Sequence, residues 1–161
     1  MLESYLLPHR VIFMPQSLHQ VYGHLVFSTK NRAPKIHAAI EKKLYAYICG
    51  ILQNLDGSVI AINGMSDHIH ILFRAAKNHT DIEVVQKIKG SSSKWVQEQG
   101  ENNFQWQKGY AWFSVSAKNL DAAKQYVDSQ KEHHAKVSFK DELLKILRAS
   151  GVAFDEQYLW D

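Results

Sequence analysis

Asp67-His68-Ile69-His70-Ile71-Leu72-Phe73 alternates as a β-strand does, with Ile69, Ile71 and Phe73 on one face and His68, His70 and Leu72 on the other. Two histidines one residue apart on a strand aim at the same point. They present two imidazole nitrogens to one divalent metal or one phosphate. The plainer reading of such a pair is two histidines on a half-buried strand. What favours chemistry is a second stretch, Tyr126-Val127-Asp128-Ser129-Gln130-Lys131-Glu132-His133-His134.

Outward from the histidine strand the pattern continues. Ser58 to Asn63 is a short β-branched run, and Gly64 to Asp67 turns it into the histidine strand as an antiparallel hairpin. His19 to Thr29 alternates with apolar residues on both faces, which suggests a central strand covered on both sides. After the basic loop Lys30-Asn31-Arg32-Ala33-Pro34-Lys35, the residues Ile40, Leu44, Tyr47, Ile48, Ile51 and Leu55 recur at helical spacing until Asp56-Gly57. Thr80-Asp81-Ile82-Glu83 is a capping box that opens a second helix. Its middle, Gly90-Ser91-Ser92-Ser93, has low helix propensity and would either weaken the helix or admit another surface. Phe104 to Tyr110 forms an aromatic loop, and Trp112 to Ser116 a strand. Ser116 or Asn119 caps a helix carrying Leu120, Ala123 and Val127. Ser138 opens a last helix that Gly151 closes, and Tyr158-Leu159-Trp160 could add a short edge strand.

The order β, α, β, β, α, β, α predicts an α+β fold. It is a ferredoxin-like or RRM-like antiparallel sheet with two helices on one face, plus a tyrosine-bearing helix and a C-terminal helix. Residues 17–161 form one domain. Residues 1–16 are a peripheral extension, and the apolar run Met1 to Phe13 joins nothing downstream.

At 161 residues the chain is long enough to bury a core, and 45% hydrophobic with 22% charged residues is globular composition. A formal net charge of +3 is compatible with a nucleic-acid partner but does not by itself argue for one. The single cysteine, Cys49, excludes an internal disulfide and a cysteine-built zinc site. No apolar run is long enough to span a membrane, and the start is a poor signal peptide, so a cytoplasmic protein is expected. Nine histidines in this length make metal or phosphate chemistry worth seeking.

On the tyrosine helix Gln130 lies four residues beyond Tyr126 and His133 seven, so the three share a face. A half-buried tyrosine with polar neighbours would explain this; so would a tyrosine nucleophile with an amide oxygen beside a metal. Ionising a phenol at neutral pH costs about 4 kcal/mol, and a divalent ion offsets barriers of that size by polarising a phosphoryl oxygen. Two imidazoles and an amide oxygen suit Mg²⁺ or Mn²⁺ in an open site, with Mn²⁺ bound more tightly.

Together these residues resemble the HUH endonuclease superfamily. His68-Ile69-His70 looks like its His-hydrophobic-His motif, and Tyr126 to His134 like the tyrosine helix of its single-tyrosine transposases, which small bacterial and archaeal insertion sequences encode. The likeness extends through Val21 to Lys30, Gly90 to Trp95, Phe104 to Gln107, Phe113 to Ser116 and Tyr158 to Trp160. The resemblance implies a metal-dependent endonuclease and strand transferase acting on single-stranded DNA hairpins. His68, His70 and Gln130 would hold Mg²⁺ or Mn²⁺. Tyr126 would attack the scissile phosphate, leaving a 5′-phosphotyrosine link and a free 3′-hydroxyl. The resemblance also implies a homodimer in which each tyrosine helix completes the other subunit's site. Ala111 departs from the family, which usually has glycine there, and the long start is atypical.

Lys30, Arg32, Lys35, Lys87, Lys89 and Lys94 are candidates for DNA-backbone contacts, and Trp106 and Tyr110 for stacking on bases. The alternatives are a domesticated hairpin-processing nuclease, a replication-initiator nuclease, and a non-catalytic RRM-like binding module. The short chain disfavours the initiator, and histidines in place of central-strand aromatics disfavour the binding module.

Overall fold

The structure, a computed structural model, describes residues 18–160. The expected extension, including Met1 to Phe13, lies outside the described residues. The elements are β1 (Tyr22–Ser28), α1 (Ala38–Asn54), β2 (Ser58–Gly64), β3 (His68–Arg74), α2 (Asp81–Glu98), β4 (Ala111–Val115), α3 (Leu120–Asp128), α4 (Gln130–His133) and α5 (Phe139–Ala149). The strands form one antiparallel sheet in the order β2-β3-β1-β4. This is the ferredoxin-like order the sequence predicts, with β3 and β1 at its centre.

The alternation of β3 sorts its side chains into two environments. Ile69, Ile71 and Phe73 join Leu25 and Phe27 of β1 and pack under Leu44, Ile48 and Leu52 of α1 and Val85, Ile88 and Val96 of α2. Each such side chain contributes roughly 1.5–3 kcal/mol by leaving water. His68, His70 and Leu72 face the other way. That face is covered too: α3 packs Val127 against Leu72 and Ala61, and α5 packs Phe139, Leu143 and Leu147 against Val26. The sheet is therefore sandwiched, and the histidines are interior groups.

The capping box at Thr80 is formed in both directions, with Glu83 N donating to Thr80 Oγ1 at 3.3 Å and Thr80 N donating to Glu83 Oε2 at 2.8 Å. α2 runs unbroken through Gly90 to Ser93. Ser92 is fully buried and accepts a 2.9 Å bond from the Trp106 indole. Tertiary packing on a small residue overrides weak propensity there. Ser138 caps α5, accepting from Asp141 N at 3.2 Å, and Gly151 follows it at φ 65°. Neither Ser116 nor Asn119 makes a side-chain cap. The tail is not an edge strand. Glu156–Tyr158 is a single 3₁₀ turn, and Leu159 and Trp160 pack onto the cluster around Val26 and Phe139.

The β2–β3 hairpin fixes where His68 begins. A Cβ at Gly64 would come within 2.8 Å of the Ile69 Cα, so this close approach of two backbones requires glycine.

Candidate active site

His68 and His70 emerge side by side from β3 with 1% and 0% of their surface exposed. Four side chains meet here: His68, His70, His134, which follows α4, and Glu142 of α5 each offer one ligand atom, all within 4.8 Å of one another. His68 Nε2 lies 2.9 Å from His134 Nε2, His134 Nε2 lies 3.0 Å from Glu142 Oε2, and His70 Nε2 lies 3.4 Å from the same oxygen. Two donors held at right angles about 2.1 Å from one ion stand about 3.0 Å apart, so these spacings fit a divalent cation.

The partners of the outer ring nitrogens fix the tautomers. His68 Nδ1 faces Asp67 Oδ1 at 2.7 Å, and His134 Nδ1 faces the Val137 carbonyl at 2.8 Å. Both acceptors call for N–H on Nδ1, which leaves a lone pair on each Nε2. Two imidazole lone pairs 2.9 Å apart repel unless a positive charge lies between them. His70 Nδ1 is satisfied by His24 Nε2 at 3.0 Å, whereas His70 Nε2 and Glu142 Oε2 are buried without a hydrogen-bond partner. Each orphan would cost about 1–3 kcal/mol in a site meant to stay empty. The donor set fits a cation.

Tyr126 on α3 reaches the same place. Its ring centroid lies 6.0 Å from His70 and from His24, and its hydroxyl donates to Glu142 Oε1. Gln130 is fully buried; its Nε2 donates to Glu142 Oε1 at 3.0 Å, and its Oε1 has no hydrogen-bond partner. The break between α3 and α4 at Ser129 lets Gln130 and His134 face inward together. A single chain thus gathers His68, His70, Tyr126 and Gln130, the residues expected from the sequence. It adds His24, Asp67, His134 and Glu142, which were not expected.

The electrostatics follow from burial. Desolvation pulls His68 and His70 below the ordinary histidine value despite the opposing Asp67 and Glu142 carboxylates. His24 is pushed down to about 3 by burial and by the His70 ring. For Glu142, burial acts upward, but hydrogen bonds and charge from His70, together with Tyr126 and Gln130, outweigh it and hold the carboxyl well below its usual range. The Tyr126 phenol is raised well above its ordinary value by burial, then by the Glu142 carboxylate. The site at neutral pH is a set of neutral imidazoles with one carboxylate, and its phenol resists ionisation.

A pH dependence of stability results. The buried histidines have folded values below the unfolded 6.5, so below that pH the unfolded chain takes up protons that the folded chain refuses. Their contribution to stability is intact above about pH 6.5 and is lost as the pH falls. His24 alone accounts for about 2 kcal/mol by about pH 5. Thermal unfolding of the metal-free protein is expected to show a Tm that drops steadily from pH 7 to 5; a flat profile across that window contradicts these assignments.

The surface candidates separate. An open groove of about 330 Å³ leads from Arg32, Ser66 and Asp67 to His68 and His134, and puts Arg32 at the mouth of the site. Lys30 reaches Gln105 at 3.0 Å, Lys35 stands 3.4 Å from Glu101, and Lys87 and Lys94 are exposed on α2. Lys89 is not placed for DNA. Its Nζ donates to the carbonyls of Lys108 and Gly109 at 2.9 Å, and burial pushes its pKa down to about 8. Trp106 is not a stacking platform either. It is 7% exposed, wedged edge-on between Phe27 and Phe104, and its indole is spent on Ser92. Tyr110 is 40% exposed and can still offer a ring face.

Among the described residues no helix is long and apolar enough to cross a membrane. The family described as Transposase IS200 like matches residues 17–130. A candidate transposase from Deinococcus radiodurans R1 superposes with a TM-score of 0.57 at 20% identity, over 73% of this chain and 98% of its own. A REP-associated tyrosine transposase bound to a REP hairpin gives 0.59 at 13% identity, over 92% and 91%. At these identities both establish likeness of fold. No match is found among the curated proteins.

Proposed function

The chain belongs to the IS200-like transposase family, and on that premise we propose that it cuts and rejoins single-stranded DNA at hairpin-marked element ends through Tyr126. In this reaction Tyr126 Oη bonds to the scissile phosphorus and the P–O3′ bond breaks. The DNA keeps a 5′-phosphotyrosine link, and the departing strand carries the 3′-hydroxyl, protonated in place of the phenol. Attack by that hydroxyl reverses the step, so no high-energy cofactor is consumed.

The observation that carries this reading is the meeting of Tyr126 with the imidazole–carboxylate cluster inside one chain. His68, His70, His134 and Glu142 would hold Mg²⁺ or Mn²⁺, and the Gln130 amide oxygen is a further candidate. The nitrogen-rich set favours Mn²⁺. Once bound, the ion supplies Lewis-acid polarisation of the phosphoryl oxygen. Asp67, His24 and the Val137 carbonyl orient the imidazoles, and Glu142 and Gln130 orient the phenol. Arg32 at the groove mouth, with Lys30, Lys87 and Lys94, would meet the DNA backbone. The neighbour bound to a hairpin supports the substrate class. It also favours a second reading with the same chemistry, a hairpin-processing nuclease that no longer moves an element. An RRM-like module is disfavoured, because the sheet face such a module exposes to bases is covered here by α3 and α5.

A homodimer remains the expectation from the resemblance, in a cytoplasmic protein. The geometry favours a site completed within each chain rather than exchanged. The test is the protein with single-stranded hairpin DNA and Mn²⁺, scored for a denaturant-stable protein–DNA adduct. The wild type is expected to form it, and a mixture of Tyr126→Phe and His70→Ala subunits is expected to stay inactive. Recovery of adduct in the mixture would mean that tyrosine helices are exchanged, and no adduct in the wild type would overturn the proposal.

A further inference from the structure

Glu142 lies twelve residues beyond the stretch matched by the family, which ends at Gln130. Among the described residues no other Asp or Glu is buried; Glu142 is 3% exposed. It occupies a core position of α5, on the side that carries Phe139 and Leu143 into the cluster beneath the sheet. A carboxylate there is expensive unless something positive meets it. Its two oxygens have different surroundings. Oε1 accepts hydrogen bonds from Tyr126 Oη and Gln130 Nε2, with His133 Nε2 at 3.5 Å. Oε2 accepts no hydrogen bond and faces His134 Nε2 at 3.0 Å and His70 Nε2 at 3.4 Å. The fixed partners of Oε1 are hydrogen-bond donors. The neighbours of Oε2 are imidazole nitrogens, one of them with its proton assigned to the far side of the ring.

We infer that Glu142 ties the nucleophile to the ion: Oε2 is a ligand of the cation alongside His68, His70 and His134, while Oε1 holds the hydroxyl of Tyr126. This rests on the transposase reading only for the purpose of the tie; the ligand role stands on the donor geometry alone. No other described side chain touches both the phenol and the ligand cluster in this way. The distance from nucleophile to ion is then set by α5, an element outside the matched family stretch, and not by the tyrosine helix alone. Glu142 acts as a positioning residue for Tyr126 and as a first contact for the cation.

Two substitutions separate the roles. Glu142→Gln keeps the volume and an amide oxygen that can accept from Tyr126, but removes the charge. Glu142→Ala removes both. Mn²⁺ alone is titrated calorimetrically into the full chain without DNA, and adduct formation with hairpin DNA is then followed at saturating Mn²⁺. Wild type and Tyr126→Phe are expected to bind Mn²⁺ within about twofold of each other. Glu142→Gln and Glu142→Ala are expected to bind at least about tenfold more weakly, as loss of a charged contact at a metal site does. At saturating Mn²⁺, Glu142→Gln is expected to recover adduct formation well beyond Glu142→Ala, a rescue that a purely structural role for the side chain would not produce. Should Glu142→Ala fail to fold, the Mn²⁺ affinity of Glu142→Gln still decides the ligand role. An unchanged Mn²⁺ affinity in Glu142→Gln overturns the inference and leaves the transposase reading untouched. A wild type that binds Mn²⁺ through Glu142 yet forms no adduct overturns the transposase reading and leaves the ligand assignment standing.

Discussion

Tyr126→Phe is expected to abolish the covalent protein–DNA adduct while leaving the fold and hairpin binding in place. The change removes one oxygen. The ring keeps its packing against His24, His70 and His133, whose centroids lie 6.0, 6.0 and 5.7 Å away. Glu142 Oε1 loses one donor and keeps Gln130. The stability cost is about 1 kcal/mol, the net worth of one hydrogen bond. The chemical cost is far larger, because no other group takes over as nucleophile; losing such a group costs on the order of 10⁴-fold or more. Gel separation under denaturing conditions reads the adduct, and a binding titration with the same hairpin reads recognition. An adduct surviving in Tyr126→Phe would remove Tyr126 from the mechanism.

His70→Ala is expected to have the second largest effect, acting through the ion. Its Nε2 is buried without a hydrogen-bond partner, so in the metal-free protein the ring holds an unmet acceptor. Removing it takes one ligand from four, and it frees His24 from its 3.0 Å contact. Mn²⁺ affinity is expected to fall at least about tenfold and adduct formation by roughly 10³-fold, in line with the loss of electrostatic support for a developing charge. His68→Ala is expected to behave alike, since its Nε2 meets His134 at the same point. Calorimetric titration with Mn²⁺ and the adduct assay at several Mn²⁺ concentrations separate weak binding from lost chemistry. Full activity in His70→Ala at ordinary Mn²⁺ would contradict the proposed cation site.

The fold was legible because its signals are local. The alternation through Phe73, the Thr80 capping box and the Ser138 cap each depend on neighbours in the chain, and all are formed. The core of the site was legible for the same reason: His-x-His on a strand and Tyr126–Gln130 at four residues fix shared faces before any tertiary structure exists. What was missed depends on contacts between distant elements. Trp106 looked like a loop aromatic because nothing nearby shows that Ser92, fourteen residues earlier, leaves a pocket and an acceptor for it. Lys89 looked like a surface cation, yet the loop carbonyls it binds come from residues 108 and 109. Glu142 did leave a trace. Phe139, Leu143 and Leu147 set the buried stripe of α5, and Glu142 beside Leu143 is an acid on that stripe. A charge at a core position of an amphipathic helix was the available signal for a partner, and His134 beside His133 was the second.

The most direct measurement of the central claim is the identity of the residue that carries DNA. Wild-type protein is reacted with single-stranded hairpin DNA and Mn²⁺, digested with protease and nuclease, and the nucleotide-bearing peptide is sequenced by mass spectrometry. The expected result is one modified peptide with a 5′-linked nucleotide on Tyr126. A nucleotide on any other residue, or a link through the 3′ end, would contradict the account.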